Sequence, residues 1–471
     1  MLRRQKTQSI FSKRLIVTKK NNILKKYFGT DGIRGRANSS SMNANLALRI
    51  GMASAKLFTR GEHKHNVLIG KDTRLSNYTI EPALTSGFLS MGMNVYLTGP
   101  LPTPGVASLV TSMRCDVGVM ISASHNEYLD NGIKIFCPDG TKLSDEQEIE
   151  LERLIDNNNL KLAKSENLGR AKRIDDAGGR YIEYLKSRMP SSLRLDGFKI
   201  VIDCANGAAY KVGPTILWEL GAEVIPINVN PDGTNVNKNG GSTDPSNLIS
   251  MVKKNKADIG IALDGDADRC VLVDEKGCII DGDFILGMIA INWKNKKVLK
   301  NNTIVGTVMT NSALVKFLEK YKIKFIRTDV GDRNIIREMK KRNLVLGGEP
   351  SGHIILNNLS SSGDGLLAAL EVLHTLKEKN KKLSYFSKIY KPFPQITDSI
   401  TADKNCSPEV MLKVSREKIM KLKNSFKTNV RLLVRKSGTE NKIRIMVESR
   451  NKKEARLALQ KSKKILKNIK I

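Results

Sequence analysis

The sequence predicts an α/β protein of several domains: three similar α/β layers with mixed sheets, then a smaller α+β unit. Three observations lead there. The chain has 471 residues, too long for one ordinary domain and enough for three or four. Short apolar runs alternate with helix-length amphipathic stretches, the spacing of βαβ units and of mixed or parallel sheets. The last ~80 residues break that rhythm with two close strands and a basic helix.

The elements follow in order. Residues 1–26 carry nine Lys/Arg and no acidic residue. They are expected to form a disordered, dispensable extension, although the same texture suits an organellar transit peptide. From Tyr27 the pattern changes. Strand-like runs fall at 67–70, 117–121, 199–203, 224–227, 259–264, 304–308, 344–347 and 443–447. Helix-length stretches lie between many of them, at 43–60, 78–92, 211–220, 311–321 and 363–379. A crude repeat is visible: three helices each feed a strand, at 95–98, 224–227 and 325–328, and then a polar loop with Gly or Pro. The carboxyl-terminal unit holds strands at 429–435 and 443–447 and a helix at 453–469. The expected domains are therefore 27–165, 166–278, 279–390 and 391–471. In open α/β sheets ligands bind beyond the carboxyl ends of strands, where the Gly- and Asp-rich loops of this chain fall.

Composition narrows the function. Forty per cent of residues are apolar, enough for real cores, yet the longest apolar run, 284–291, is too short to span a membrane. The cysteines (Cys115, Cys137, Cys204, Cys270, Cys278, Cys406) form no CxxC pair or even ladder, which suits a reducing cytoplasm. The net charge of +32 is spread over the whole chain, aromatics are 5%, and no nucleic-acid motif is present. The charge therefore reads as solvated lysine faces and attraction for anionic small molecules, with no specific nucleic acid as partner.

Two loops carry the strongest chemistry. Asp264-Gly265-Asp266-Ala267-Asp268-Arg269 leaves an apolar strand with three alternate carboxylates, which would repel one another unless a hard cation collected them. An EF-hand is excluded because its glycine position holds Arg269 and strands flank the loop. Ser122-Ala123-Ser124-His125-Asn126 also follows a strand, with Lys134 downstream. A serine there can carry a phosphoryl group if cations offset its charge, and Lys134 could then manage the acceptor's proton. Ser122 is expected to matter far less.

Three further loops are glycine-rich. In Arg435-Lys436-Ser437-Gly438-Thr439-Glu440, followed by Arg444, guanidiniums, hydroxyls and a glycine suit a phosphate cradle. Gly347-Gly348-Glu349-Pro350-Ser351-Gly352-His353 offers paired acceptors for sugar hydroxyls. Phe28-Gly29-Thr30-Asp31-Gly32-Ile33-Arg34-Gly35 positions an arginine.

The ordered set FGTDGIRG, GKDTRLSN, PTP, SASHN, NGIK, DGDADR, VGDR, GGEPSGH, RKSGTE closely resembles the α-D-phosphohexomutases, from Tyr27 to about Val447. The opening is most similar to the branch that acts on glucosamine phosphate. The resemblance implies four domains around a central cleft, the fourth binding the substrate's phosphate. It implies isomerisation of glucosamine 6-phosphate to glucosamine 1-phosphate, supplying UDP-N-acetylglucosamine synthesis. The intermediate, which can also act as activator, would be glucosamine 1,6-bisphosphate. A phosphomannomutase/phosphoglucomutase shares nearly all these loops and is the alternative; an inactive scaffold that binds nucleic acid is a distant one. The family further implies a Mg²⁺ cofactor and a sugar-phosphate partner; the short apolar runs imply no membrane, and a homodimer is one assembly open to the chain.

Residue by residue, Ser124 matches the phosphoserine, whose phosphate joins Asp264, Asp266 and Asp268 on the metal. Arg34, His125 and Lys134 match groups around the transferring phosphoryl. Arg269, Gly331, Asp332, Glu349, Ser351 and His353 match the sugar site, and Arg435, Ser437, Gly438, Thr439 and Arg444 the phosphate site. The chain departs from the family pattern at Glu127 (for Pro), Asn77 (for Gly), Ala267 (for Gly) and Asn441 (for Pro). Ala267 is tolerable only where no positive φ is needed, and Asn77 can enter the left-handed region.

Overall fold

The structure, a computed structural model, describes residues 25–29, 31–402, 407–426, 429–437 and 441–469. The extension up to residue 24, Gly438 and Thr439 lie outside the described residues. Four sheets follow one another along the chain. The first has seven strands, in the order Phe28–Gly29, Gly32–Arg36, Asp130–Phe136, Val117–Ile121, Asn66–Lys71, Asn94–Pro100 and Ala171–Arg173. The second has five: Ile279–Ile280, Cys270–Asp274, Ile259–Leu263, Lys199–Asp203 and Glu223–Ile227. The third has four: Lys324–Thr328, Thr303–Thr307, Leu346–Gly348 and Ile354–Leu356. The last is an antiparallel three-stranded sheet in the order Gln395–Thr401, Lys442–Ser449 and Val430–Lys436. Three α/β layers and a smaller α+β unit are what alternating strand and helix signals lead one to expect.

The internal repeat runs deeper than the sequence suggests. In each of the first three sheets a central strand pairs in parallel with the strand that the crude repeat marked: Asn66–Lys71 with Asn94–Pro100, Lys199–Asp203 with Glu223–Ile227, and Thr303–Thr307 with Lys324–Thr328. On its other side that central strand meets a third, parallel strand, which then folds back on itself as a hairpin. These hairpins are Val117–Ile121 with Asp130–Phe136, Ile259–Leu263 with Cys270–Asp274, and Leu346–Gly348 with Ile354–Leu356. Their loops are the Ser124 loop, the aspartate loop and the Glu349–His353 loop. A single topological device thus delivers three chemistries to one place.

The strands Val117–Ile121 and Ile259–Leu263 are buried at every residue, which explains their continuous apolar runs: helices cover both faces of the sheet. One core cluster joins the three α/β units, among them Leu68, Val110, Ile202, Leu263, Ile289 and Leu370. The helix Gly365–Lys379 crosses that core. Asp364 caps it by accepting from Leu367 N at 2.9 Å, a bond that satisfies one of the helix's orphan donors. Among the described residues no helix is long and apolar enough to cross a membrane.

Three expectations change. Lys25 and Lys26 belong to the folded body: Lys25 pairs with Asp145 and Glu148, and Lys26 N donates to Glu152 at 2.9 Å. The final sheet has a third strand, Gln395–Thr401, whose exposed edge position left only a weak apolar alternation. Ala267 sits at φ +56°, and Asn77 opens the helix Asn77–Ser90 without entering the left-handed region.

Candidate active site

Ser124 stands at the exit of the strand Val117–Ile121, at φ +55° and fully buried. A non-glycine residue held there is strained, a feature that clusters at functional sites. Its surroundings over-determine the position. Ser124 N donates to Ser122 Oγ at 2.8 Å, and Ser122 Oγ donates to Asp72 Oδ2 at 2.7 Å. Asp72 holds Arg74 Nε at 2.8 Å, with both side chains fully buried. Arg74 in turn donates to the Ser124 carbonyl oxygen at 3.0 Å and to that of Asn126 at 2.8 Å. Asn237, from the second sheet's unit, donates to the same two oxygens. The loop is clamped from two domains.

The hydroxyl points at the second hairpin: Ser124 Oγ donates to Asp264 Oδ2 at 2.7 Å. A Cβ on Gly265 would lie 2.7 Å from the Ser124 carbonyl oxygen, so only glycine permits this approach of the two loops. Ligand oxygens of Asp264, Asp266 and Asp268 lie within 4.8 Å of one another. Asp266 Oδ1 and Asp268 Oδ1 are buried with no hydrogen-bond partner among the described residues, a costly arrangement for a carboxylate. Orphaned hard oxygens converging at that distance can hold a metal ion. Burial, with Asp268 and Asp266 adjacent, pushes Asp264 up to about 7.

Lys134 lies on the strand Asp130–Phe136 with its Nζ 2.7 Å from Asp266, 3.2 Å from Asp268 and 3.3 Å from Asp31. Burial opposes its charge, but the aspartates win and hold it well above its ordinary value. It is a fixed cation. His125 Nδ1 lies 3.5 Å from Ser124 Oγ, and burial together with Arg269 and Arg34 pushes it down to about 4. It is a neutral imidazole beside the hydroxyl.

Around this floor opens a cleft of about 990 Å³ lined from all four units. Arg34, on the strand Gly32–Arg36, pairs with Asp31 and reaches the Ala123 carbonyl oxygen at 3.3 Å. Arg269 lies 3.7 Å from Asp268. Gly331, at φ +119°, donates its N–H to Glu349 Oε1 at 3.0 Å, and Ser351 Oγ lies 3.5 Å from Glu349 Oε2. His353 Nδ1 approaches Asp268 at 3.6 Å and its Nε2 approaches Asp332 at 3.8 Å. Arg435 and Arg444 face each other across the last sheet, and Arg444 Nε donates to Ser437 Oγ at 3.2 Å. Like charges directly opposite are unfavourable in a sheet. Arg34, His125, Asp268, Arg269, Gly331, Asp332, Glu349, Ser351, His353, Arg435, Ser437 and Arg444 line this cleft, and Ser124 with Asp264 and Lys134 with Asp266 are hydrogen-bonded pairs.

Several groups escaped the sequence reading. Thr103, in the PTP motif, donates to Asp266 Oδ2 at 2.6 Å. Lys142 bridges Asp31 and Asp332. Asp72 and Arg74 sit in the GKDTR motif, which was legible as a motif but gave no role. Lys142 has no local signal at all. As for the departures, Glu127 is exposed and only its carbonyl oxygen takes part, accepting from Arg74. Asn77 donates to Asp72 Oδ1 at 3.0 Å and accepts from Asn131, supporting the same clamp.

Known proteins resemble this chain over most of its length. Family models of phosphoglucomutase/phosphomannomutase match throughout: alpha/beta/alpha domain I over residues 25–161, domain II over 179–277, domain III over 281–393 and the C-terminal domain over 378–461. A phosphoglucosamine mutase of Paramagnetospirillum magneticum is 53% identical over 90% of this chain and 95% of its own. One of Parvibaculum lavamentivorans is 52% identical over 91% and 96%. A crystal structure of a phosphoglucomutase/phosphomannomutase family protein from Burkholderia thailandensis superposes with a TM-score of 0.78 at 21% identity, covering 94% of this chain and 96% of that one. That likeness concerns the fold.

Proposed function

This chain belongs to the phosphoglucomutase/phosphomannomutase family, and from that premise we propose that it interconverts glucosamine 6-phosphate and glucosamine 1-phosphate through a phosphoserine at Ser124. The observation that carries the chemistry is the Ser124 hydroxyl, held at φ +55° and 2.7 Å from Asp264 at the floor of the cleft. The relatives more than half identical, named phosphoglucosamine mutase, favour the amino sugar over mannose or glucose phosphates.

In this reading phospho-Ser124 gives its phosphoryl group to O1 of glucosamine 6-phosphate. The resulting 1,6-bisphosphate turns over in the cleft, its 6-phosphoryl returns to Ser124, and glucosamine 1-phosphate leaves. Arg435, Ser437 and Arg444 grip whichever phosphate is not reacting, which is why the sugar must reorient. Glu349 and Ser351 accept from sugar hydroxyls. Lys134, Arg34 and Arg269 supply fixed positive charge to the transferring group, and His125, neutral at physiological pH, takes the acceptor's proton. Asp264, Asp266 and Asp268, with the oxygen at Ser124, suit Mg²⁺ by their all-oxygen donor set, and when bound it neutralises charge on the phosphoryl group.

The test combines three measurements. Peptide mass spectrometry is expected to find phosphate on Ser124, and Ser124→Ala to lower turnover by orders of magnitude. Competition among the 6-phosphates of glucosamine, glucose and mannose is expected to give the highest kcat/KM to glucosamine. Near-normal turnover in Ser124→Ala would remove the phosphoserine; a preference for mannose or glucose would change the substrate and leave the chemistry standing.

A further inference from the structure

The cleft is built on the carboxyl ends of the strands of the first sheet, and a second cluster of ligating side chains stands at their amino ends. His63 and His65 precede the strand Asn66–Lys71, and Asp116 immediately precedes the strand Val117–Ile121. These strands are parallel neighbours, so the two segments meet at one edge. At about 3.3 Å per residue the five-residue strand separates this edge from the Ser124 loop by roughly 16 Å.

One ligand atom from each of His63, His65 and Asp116 lies within 4.8 Å of the others. The site shows the outer contacts that orient metal ligands. Asp116 Oδ2 accepts from Asn66 N at 2.8 Å, leaving Oδ1 turned to His63 Nε2 at 2.7 Å. His65 Nε2 lies 2.9 Å from the Arg60 nitrogen and 3.0 Å from the Arg60 carbonyl oxygen; in the tautomer that donates to the carbonyl the proton sits on Nε2 and Nδ1 is left to an ion. The two rings lie 4.1 Å apart, centroid to centroid. His65 and Asp116 are largely covered, whereas the His63 side chain is 59% exposed and free to swing onto an ion.

We propose that His63, His65 and Asp116 form a second metal site, selective for Zn²⁺, with a remaining position open to water. The donor set decides the ion. Three carboxylates suit Mg²⁺, but two imidazoles and one carboxylate suit a borderline ion such as Zn²⁺. Zinc here ties the loop after the helix Ala44–Phe58 to the start of the strand Val117–Ile121, the strand that leads to Ser124.

Chelator-stripped full-length protein, dialysed against Zn²⁺ in excess Mg²⁺, tests this by metal content per chain. The aspartate cluster can itself take Zn²⁺, so the difference between proteins is the readout. Wild-type protein is expected to hold one more Zn²⁺ than His63→Ala. Asp116→Asn, which keeps the oxygen that accepts from Asn66 N, is expected to weaken the additional site by about tenfold or more. Zn²⁺ is expected to raise the Tm of the wild type and not of His63→Ala, with Mg²⁺-supported turnover equal in both. Equal Zn²⁺ content in wild type and His63→Ala would overturn the proposal and leave a plain His–Asp hydrogen bond.

Discussion

Ser122 is a residue whose neighbours alter its expected weight. By sequence it is a loop serine of little consequence, but its hydroxyl links Ser124 N to the buried Asp72–Arg74 pair. Ser122→Ala leaves a buried N–H unpaired, a loss of about 1–3 kcal/mol, or roughly 5- to 150-fold. The expected result is a kcat at least several-fold lower with Ser124 phosphorylation impaired; unchanged kcat would mean that Arg74 and Asn237 hold the loop without it. Ala267 shows how a departure from pattern is absorbed. At φ +56° it carries left-handed strain of about 1–2 kcal/mol, against which its fully buried methyl contributes roughly 0.8 kcal/mol. Asp283 supplies a pH signature of its own. Burial and the neighbouring Asp281 push it up to about 8. Because the folded value lies above the unfolded one, its stabilising effect is full at acid pH and is lost as pH rises towards 8. Urea midpoints are therefore expected to fall more steeply between pH 5 and about 8 for the wild type than for Asp283→Asn. Parallel slopes would show that Asp283 does not titrate in that window.

At the scale of elements, the helix Asp145–Asp156 does more than cover the first sheet. A capping box of Ser144 and Gln147 starts it, and Glu152 then accepts from the backbone N–H groups of Lys26, Tyr27 and Phe28 at 2.9, 2.7 and 2.8 Å. This one carboxylate sets where the chain enters the strands that carry Asp31 and Arg34 into the cleft. A protein beginning at Lys25 is expected to match the full chain in Tm and kcat. One beginning at Gly29 loses all three bonds and is expected to show a lower Tm and a raised KM. Equal KM for the two truncations would show that the edge strands register without this helix.

Across the whole molecule, the first and third units are joined at the cleft mouth by Lys142, which pairs with Asp31 of one and Asp332 of the other, and by Arg333, which reaches Asp145 and Glu148. Removing one member of a buried ionic group typically costs about 3–5 kcal/mol, because its partners stay buried and unpaired. Lys142→Met is thus expected to lower the denaturation midpoint and to raise KM more than it lowers kcat. A change in kcat alone would assign Lys142 to the chemistry. The sequence by itself determined the α/β class, the strand-exit loops and the kinds of side chain they carry. Strand periodicity is local, and each reactive group lies in a run of about six residues that a strand exit holds together. Tertiary structure alone decided how those runs serve one another. Asp31 meets Lys142 across 111 residues of sequence and Lys142 meets Asp332 across 190, the Asp72–Arg74 clamp closes on a loop about 50 residues away, and the left-handed Ala267 is fixed by loops packed around it. Charge pairing and backbone strain of this kind leave no period in the chain, since they arise only where separate units come within a few ångströms.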